Sequence, residues 1–404
     1  MLSSRQTLRN GSVEVETNTT KEKVMSLIRC AFWDTDCPEI DEDTYKEMKR
    51  QTIAALPAAM LERIITDQNL LQAWKTAIMQ QVYSYYNYKH IQDNLPVTVP
   101  YVILKGSAAA QYYPHPEYRT MGDIDIMTSR EDFDTACKEL QDHDYTITKN
   151  LRREIGFQKR GTIIELHRAF ASLNDPNQAA FLDSLIIDNI APTHLLPDDI
   201  NGLTLLEHIN QHMEEGLGLR QIIDWMMFVD KCLPDEKWPA FCQMTERIGM
   251  TKLAITVTRM CEIYLGLPER KWCEKANKET CRKLLGYIYS SGNFGNKQND
   301  DTSGQSIQTM YKIHSVKSFF KLLQSSGVHN WKLAQKKPFF RKFAWLYQIG
   351  HYAAKGLGRK GAITQLRSEH LAVQERKELF DAIGVKQFSK GLVVYQDGKY
   401  KIKR

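Results

Sequence analysis

Residues 104–127 read LKGSAAAQYYPHPEYRTMGDIDIM, and the fold turns on how this stretch is read. Just ahead of it, Val97, Val99, Tyr101, Val102, Ile103 and Leu104 form a short apolar, β-branched run opened by Pro96, which predicts a buried strand. Gly106 and Ser107 follow as a turn. Ala108 to Tyr113 has the composition of a helix opening directly from the glycine, and Pro114 and Pro116 close it. Asp123-Ile124-Asp125-Ile126-Met127 then alternates polar and apolar residues, as a half-buried strand does. Downstream come a helix from about Arg130 to Asp142, an alternating region around Ile155 to Phe157, and a strand at Thr162 to His167. Strand, helix, strand, helix, strand, strand predicts a small α/β unit.

The chemistry sits in that unit. Residues i and i+2 of a strand point to one face, so Asp123 and Asp125 present two carboxylates together. Adjacent carboxylates repel unless they are protonated or bridged by a cation, and hard oxygen ligands favour Mg²⁺ or Mn²⁺. Glu165 lies between Ile164 and Leu166 and alternates out of the core. If its strand neighbours that of Asp125, three carboxylates converge on one metal site. His167 shares the face of Glu165, as a partner of the metal ligands or a substrate contact. A glycine turn that opens a helix exposes N–H groups suited to phosphate, which makes Gly106, Ser107 and the adjoining Lys105 candidate phosphate ligands. Ser107 also suits the N-cap of that helix.

These residues resemble the uncharacterised nucleotidyltransferase family, within the polymerase-beta-like nucleotidyltransferase superfamily. The resemblance rests on the strand with Gly106-Ser107, Arg119, Asp123-x-Asp125, Glu165-Leu166-His167, and the helical stretch from His208 through Leu219-Arg220 to Asp224-Trp225. It spans roughly Pro100 to Val229. It implies an α+β fold, a small catalytic core with a mixed sheet set among mainly helical lobes. It also implies transfer of NMP from an NTP to an acceptor hydroxyl, with release of pyrophosphate. Asp123, Asp125 and Glu165 would be the catalytic, metal-holding residues. Lys105, Gly106, Ser107, Arg119 and Arg220 would hold nucleotide phosphates. The third carboxylate is Glu rather than the Asp more usual in the superfamily.

Simpler structural roles compete at several positions. Arg220 and Asp224 stand at i, i+4, the spacing of an intrahelical ion pair. His208 and His212 share that spacing, but without a third ligand they predict no zinc site. Trp225 to Phe228 reads as core.

Around the unit the chain divides into an N-terminal helical region (1–95), the catalytic core (96–200), a helical substrate- and base-binding region (201–290), a linker (291–311) and a basic region (312–404) ending in a hairpin about Asp397-Gly398. Residues 1–20 are polar and aperiodic and predict a frayed end. Pro57 suits the start of a helix. With 404 residues, the chain exceeds one core, because single cores stop growing at about 250–300 residues. Its 42% hydrophobic and 25% charged residues exclude a disordered chain or a small disulfide scaffold.

No apolar run reaches the roughly 20 residues of a membrane span, and the N-terminus lacks the apolar segment of a secretory signal. The eight scattered cysteines predict reduced thiols and a cytoplasmic protein. The net charge of +6 conceals a division. From Lys312 to Arg404 there are 20 Lys and Arg against 5 Asp and Glu, a net of +15, so the remainder carries −9. Basic residues interleaved with Trp331, Phe339, Phe340, Phe343, Trp345 and Tyr347 suit nucleic acid or an anionic membrane surface, and equally a lobe docked on the acidic remainder. Two other functions fit the motifs: a catalytically inactive fold that binds nucleotide, RNA or protein, and an Asp-x-Asp nucleotide-sugar glycosyltransferase. The glycosyltransferase would need a nucleotide-binding α/β region ahead of the motif, where this sequence is mostly helical.

Overall fold

Helices lead the chain: α1 (Ser4–Trp33), α2 (Glu42–Arg50), α3 (Leu61–Ile64) and α4 (Gln68–Asp93). The computed structural model describes residues 4–292, 320, 323–325, 327, 328, 330–357, 374–385 and 392–403. The frayed N-terminus is corrected, since α1 starts at Ser4. Its inner half buries Val24, Leu27 and Ile28, and the Arg29 and Trp33 side chains donate to the Tyr264 and Leu265 carbonyls. That anchored half lets helix propagate outward, because adding residues to a formed helix is far easier than starting one. Asp67 caps α4 by accepting from the Asn69 and Leu70 amides.

The sheet follows as β1 (Tyr101–Leu104), α5 (Gly106–Ala110), β2 (Ile124–Thr128), α6 (Phe133–Asp142), β3 (Thr146–Asn150), β4 (Glu154–Lys159) and β5 (Thr162–His167). Its spatial order is β1-β2-β5-β4-β3. Only β2 and β5 pair in parallel; the other neighbours are antiparallel. This α+β architecture with a mixed sheet is the predicted class. Ile124, Ile126, Phe157, Ile164 and Leu166 pack with Phe133, Ala136 and Leu140 of α6 in one core cluster, which leaves the other face of β2 and β5 for function. The strand that escapes the pattern is β3. All five of its residues are exposed and it pairs with β4 alone, so no buried face imposes a two-residue period on it.

Helices α7 (Pro176–Ile187), α8 (Asp198–Glu215), α9 (Leu219–Cys232), α10 (Trp238–Arg247), α11 (Thr251–Leu265) and α12 (Lys278–Ser291) come next. Every residue of α9 from Leu219 to Val229 is buried. Trp225 is core, its indole N–H donating to Thr258 Oγ1 at 2.9 Å. Cys30 and Cys37 are joined as a disulfide, with Cα atoms 5.5 Å apart. The reading of eight reduced cysteines is therefore corrected for this pair, while Cys137, Cys232, Cys242, Cys261, Cys273 and Cys281 are free.

The chain separates into two compact units, Met1–Asn296 with Ala382–Arg404, and Lys297–Asp381. The expected linker lies, from residue 293 onward, outside the described residues. Within the second unit, Trp331 stacks on Tyr347 and meets the edge of Phe340, whereas Phe339 and Phe343 are exposed. The hairpin forms as β6 (Leu392–Gln396) and β7 (Lys399–Lys403). Asp397 and Gly398 take φ of +53° and +72° at its turn, the left-handed pair that a two-residue hairpin needs. It joins the first unit, where the Tyr400 hydroxyl lies 2.6 Å from Asp183 Oδ2.

Candidate active site

β2 and β5 run side by side with Asp125 opposite Glu165 and Met127 opposite His167. Alternation turns Ile124, Ile126, Ile164 and Leu166 inward and sends Asp125, Glu165 and His167 to the opposite face. One ligand atom from each of those three lies within 4.8 Å of the others. Asp123 lines the same cavity but stands just ahead of β2 and outside this trio, whose third member is His167. The imidazole is held from both sides, Nε2 2.8 Å from Asp125 Oδ1 and Nδ1 3.3 Å from Glu154 Oε2.

Glu154 had no signal in the sequence. It reaches the site because β4 pairs with β5 and sets Glu154 opposite His167, and it also pairs with Lys149. Lys149 Nζ lies 3.3 Å from Glu165 Oε1. Both lysine and glutamate follow from a strand pairing that sequence periodicity does not reveal.

Lys105 sits at φ +53°, and this break in the extended backbone turns its side chain into the site. Its ammonium lies 2.8 Å from Asp125 Oδ1. Gly106, next in line at φ +32°, takes the left-handed region that glycine enters without steric cost. Ser107 goes elsewhere. Its hydroxyl donates to Gln92 Oε1, and the N-cap position of α5 falls on Lys105 with no side-chain cap. At five residues, α5 is little more than one turn, so any phosphate affinity here comes from local N–H groups rather than a long helix dipole.

Electrostatics divide the acids. Burial pushes the Asp125 carboxyl up, but the Lys105 ammonium and the His167 hydrogen bond outweigh it and hold it well below the usual range. Asp123 is raised, first by the Asp125 charge and then by burial. Glu165 is raised by burial and by its acidic neighbours Asp125, Asp123 and Glu154. The site thus offers one firmly ionised carboxylate beside two that hold protons more readily.

Arg119 lines the catalytic cavity and is paired inside the fold. Its Nε and Nη2 donate to Asp224 Oδ1 and Oδ2 at 3.0 and 2.7 Å, and the Tyr113 hydroxyl donates to the same carboxylate at 2.8 Å. The expected Arg220–Asp224 intrahelical pair is therefore corrected: Asp224 reaches across to Arg119. Arg220 instead donates from Nη1 to the Thr120 carbonyl at 3.2 Å and leaves Nε without a partner. Arg220 lines a cavity of about 400 Å³ together with Lys105, Gly106, Asp123, Asp125, Glu165 and His167. His208 and His212 of α8 line it too, their Nε2 atoms 2.9 Å apart. Burial and the Lys105 and Arg220 charges hold His212 down at about 3. Burial and the neighbouring His212 lower His208 as well. Neutral at pH 7, the pair shares one N–H···N hydrogen bond, and neither ring joins a three-residue metal cluster among the described residues.

The family model for an uncharacterised nucleotidyltransferase matches residues 45–266, more than half of the chain and all of this cavity. The chain belongs to the uncharacterised nucleotidyltransferase family. In this family member the matched region runs from α2 to the end of α11, wider at both ends than the Pro100–Val229 resemblance, so helices before and after the sheet belong to the family's unit. No curated protein and no solved structure matches the chain. The family's chemistry, transfer of a nucleotidyl group, is that of a transferase acting on an NTP. No helix among the described residues is long and apolar enough to cross a membrane.

Two carboxylates and an imidazole with mutually close donor atoms suit a divalent cation. Crowded acid at Asp123 and Glu165, whose carboxyls are raised by burial and by the neighbouring carboxylates, adds to the fit. The imidazole favours Mn²⁺ over Mg²⁺, which prefers an all-oxygen shell.

Proposed function

We propose that this chain is a divalent-metal-dependent nucleotidyltransferase that moves NMP from an NTP to a hydroxyl on a small molecule, protein or RNA. The observation that carries the reading is the register of Asp125 against Glu165 on parallel strands, with His167 closing the trio. Asp125, Glu165 and His167 would hold Mn²⁺ or Mg²⁺, with Asp123 beside them; the cation supplies charge neutralisation at the phosphates. Glu165, with its raised carboxyl, accepts the acceptor's proton. The acceptor oxygen attacks the α-phosphorus, the bond from that phosphorus to the bridging oxygen breaks, and pyrophosphate leaves. Lys105, Gly106 and Arg220 face the phosphates, while Arg119 holds α9 in place through Asp224. Ser107 binds Gln92, so its contribution to phosphate is the backbone N–H.

The test is pyrophosphate release from the four NTPs with Mg²⁺ or Mn²⁺ and an acceptor library, comparing wild type with Asp123→Ala/Asp125→Ala. Equal release by the double variant defeats the mechanism. One observation favours a second reading, a protein that binds nucleotide without turnover: the Lys105 ammonium already stands against Asp125, where a cation would sit. NTP binding that is indifferent to chelator, with no pyrophosphate from any acceptor, would favour that reading. Sugar transfer is disfavoured by the four helices ahead of β1 and by the family. The NTP substrate supports a cytoplasmic setting, and the basic segment from 312 onward remains a candidate contact for nucleic acid or anionic membrane.

A further inference from the structure

A second cavity, of about 540 Å³, lies beyond the ends of β2 and β5 under the C-terminal hairpin, and Arg130, Arg152 and Arg168 all line it. Arg130 follows β2 and Arg168 follows β5 directly; Arg152 stands in the turn between β3 and β4. Among the described residues, none of the three guanidinium groups has an ion-pair or hydrogen-bond partner. Arg168 lies over the Phe133 ring at 3.9 Å, and its Nε is buried without an acceptor. Of the two acids on the wall, Asp397 is engaged by Lys401 at 3.1 Å.

The hairpin turn lies against these charges. The Arg130 guanidinium approaches Gly398, whose glycine suits the left-handed backbone of the turn. Three like charges gathered without partners repel one another. The fold holds them together, and an oxyanion that takes several guanidinium forks at once would satisfy them.

This cavity adjoins the catalytic one through a third. Arg152 and Tyr395 also line an intermediate cavity of about 280 Å³, which shares Arg153, Glu154 and Ser172 with the cavity of Asp125 and Glu165. The three cavities therefore stand in series from the carboxylates along the hairpin to the arginines. We propose that Arg130, Arg152 and Arg168 form a phosphate-binding subsite for the acceptor, whose hydroxyl stands at the carboxylates while its phosphate lies under the hairpin. The acceptor's role rests on the nucleotidyl-transfer reading; phosphate binding at the arginines stands without it.

The experiment is calorimetric titration of the full chain with inorganic phosphate, 5′-AMP and a 5′-phosphorylated triribonucleotide, without divalent metal. Arg130→Ala/Arg152→Ala is compared with wild type and with Asp123→Ala/Asp125→Ala. Arg130 and Arg152 are exposed, so their removal is expected to leave the unfolding midpoint almost unmoved, and Arg168 is kept because it packs on Phe133. Wild type and the carboxylate variant should bind phosphate alike, and the arginine variant at least about tenfold more weakly, the loss expected for two guanidinium contacts. Arginine-dependent binding that tightens from phosphate to the trinucleotide identifies an RNA end as the phosphate's source. Equal affinities across the three probes identify a small phosphorylated acceptor. Unchanged affinity in the arginine variant, or loss in the carboxylate variant, overturns the subsite. Pyrophosphate release retained by the carboxylate variant would remove the transfer reading and leave phosphate binding at the arginines standing.

Discussion

Replacing Asp224 with asparagine removes one charge from a place where almost no water reaches. The side chains of Asp224 and Arg119 are 1% and 3% exposed. The guanidinium meets both carboxylate oxygens, and Tyr113 adds a third donor. Two charge-assisted bonds at about 1.5–3 kcal/mol each set a loss of about 3–6 kcal/mol. Breaking a buried pair by removing one partner costs about 3–5 kcal/mol by independent measurement, so the two routes agree. Asp224→Asn should lie high in that range, because Arg220 is buried beside Arg119 and each disfavours the other's charge once the carboxylate is gone. Arg119→Met should cost less, since Tyr113 and Arg220 still face the carboxylate. The assay is urea unfolding of both single variants and the double variant. The double variant should fall short of the sum of the singles by about 2 kcal/mol, as expected for residues in direct contact. Additive losses, or an Asp224→Asn variant within about 1 kcal/mol of wild type, would refute a structural pair and return Arg119 to the phosphate site.

Buried Glu207 has its carboxyl pushed up to about 7 by burial, against an ordinary 4.5. The unfolded chain releases this proton near 4.5 while the folded chain keeps it to about 7, so this group alone should lower stability by about 3 kcal/mol as pH rises between them, with no further change above. Glu207→Gln should remove that slope from a plot of unfolding midpoint against pH, and an unaltered slope would contradict the assignment. Lys105→Met should raise the NTP KM about tenfold or more by losing a phosphate-facing charge, whereas Ser107→Ala should change it little because its hydroxyl serves Gln92; reversed effects in steady-state kinetics would exchange their roles. Tyr400→Phe should cost about 1–3 kcal/mol, from a lost bond to a buried carboxylate, and should raise hydrogen exchange in the hairpin more than in the sheet. Mn²⁺ should support pyrophosphate release at lower concentration than Mg²⁺, and His167→Ala should narrow that difference; an unchanged preference would take the imidazole out of the metal site.

Much of the sheet could be read from residue order because its strands have a buried face. Val102 to Leu104, Ile124 to Met127 and Thr162 to His167 carry that burial in their composition, and alternation put Asp123 with Asp125 and Glu165 with His167 on the outward faces of their strands. That the two strands are neighbours came from the structure. Strand β3 lacks a buried face and was silent, and with it went Lys149; Glu154, at the start of β4, was hidden because only the pairing of β4 with β5 sets it opposite His167. The basic residues of the last hundred positions were visible as charge, but their division was not. The hairpin that ends them packs on the first unit through Tyr400 and Asp183.

Local chemistry settled the motifs, since glycine, proline and alternating apolar residues constrain the backbone wherever they occur. Partners were decided in three dimensions. Asp224 had two arginines within reach of a sequence argument, and the spacing favoured Arg220. Packing of α9 against the loop ahead of β2 chose Arg119. Lys105 would point away from the site in an extended strand, yet a single positive φ brings it onto Asp125. A charge bonds to whatever countercharge the fold leaves within about 3 Å in a dry interior, and that distance is set by how strands and helices pack, not by their separation along the chain.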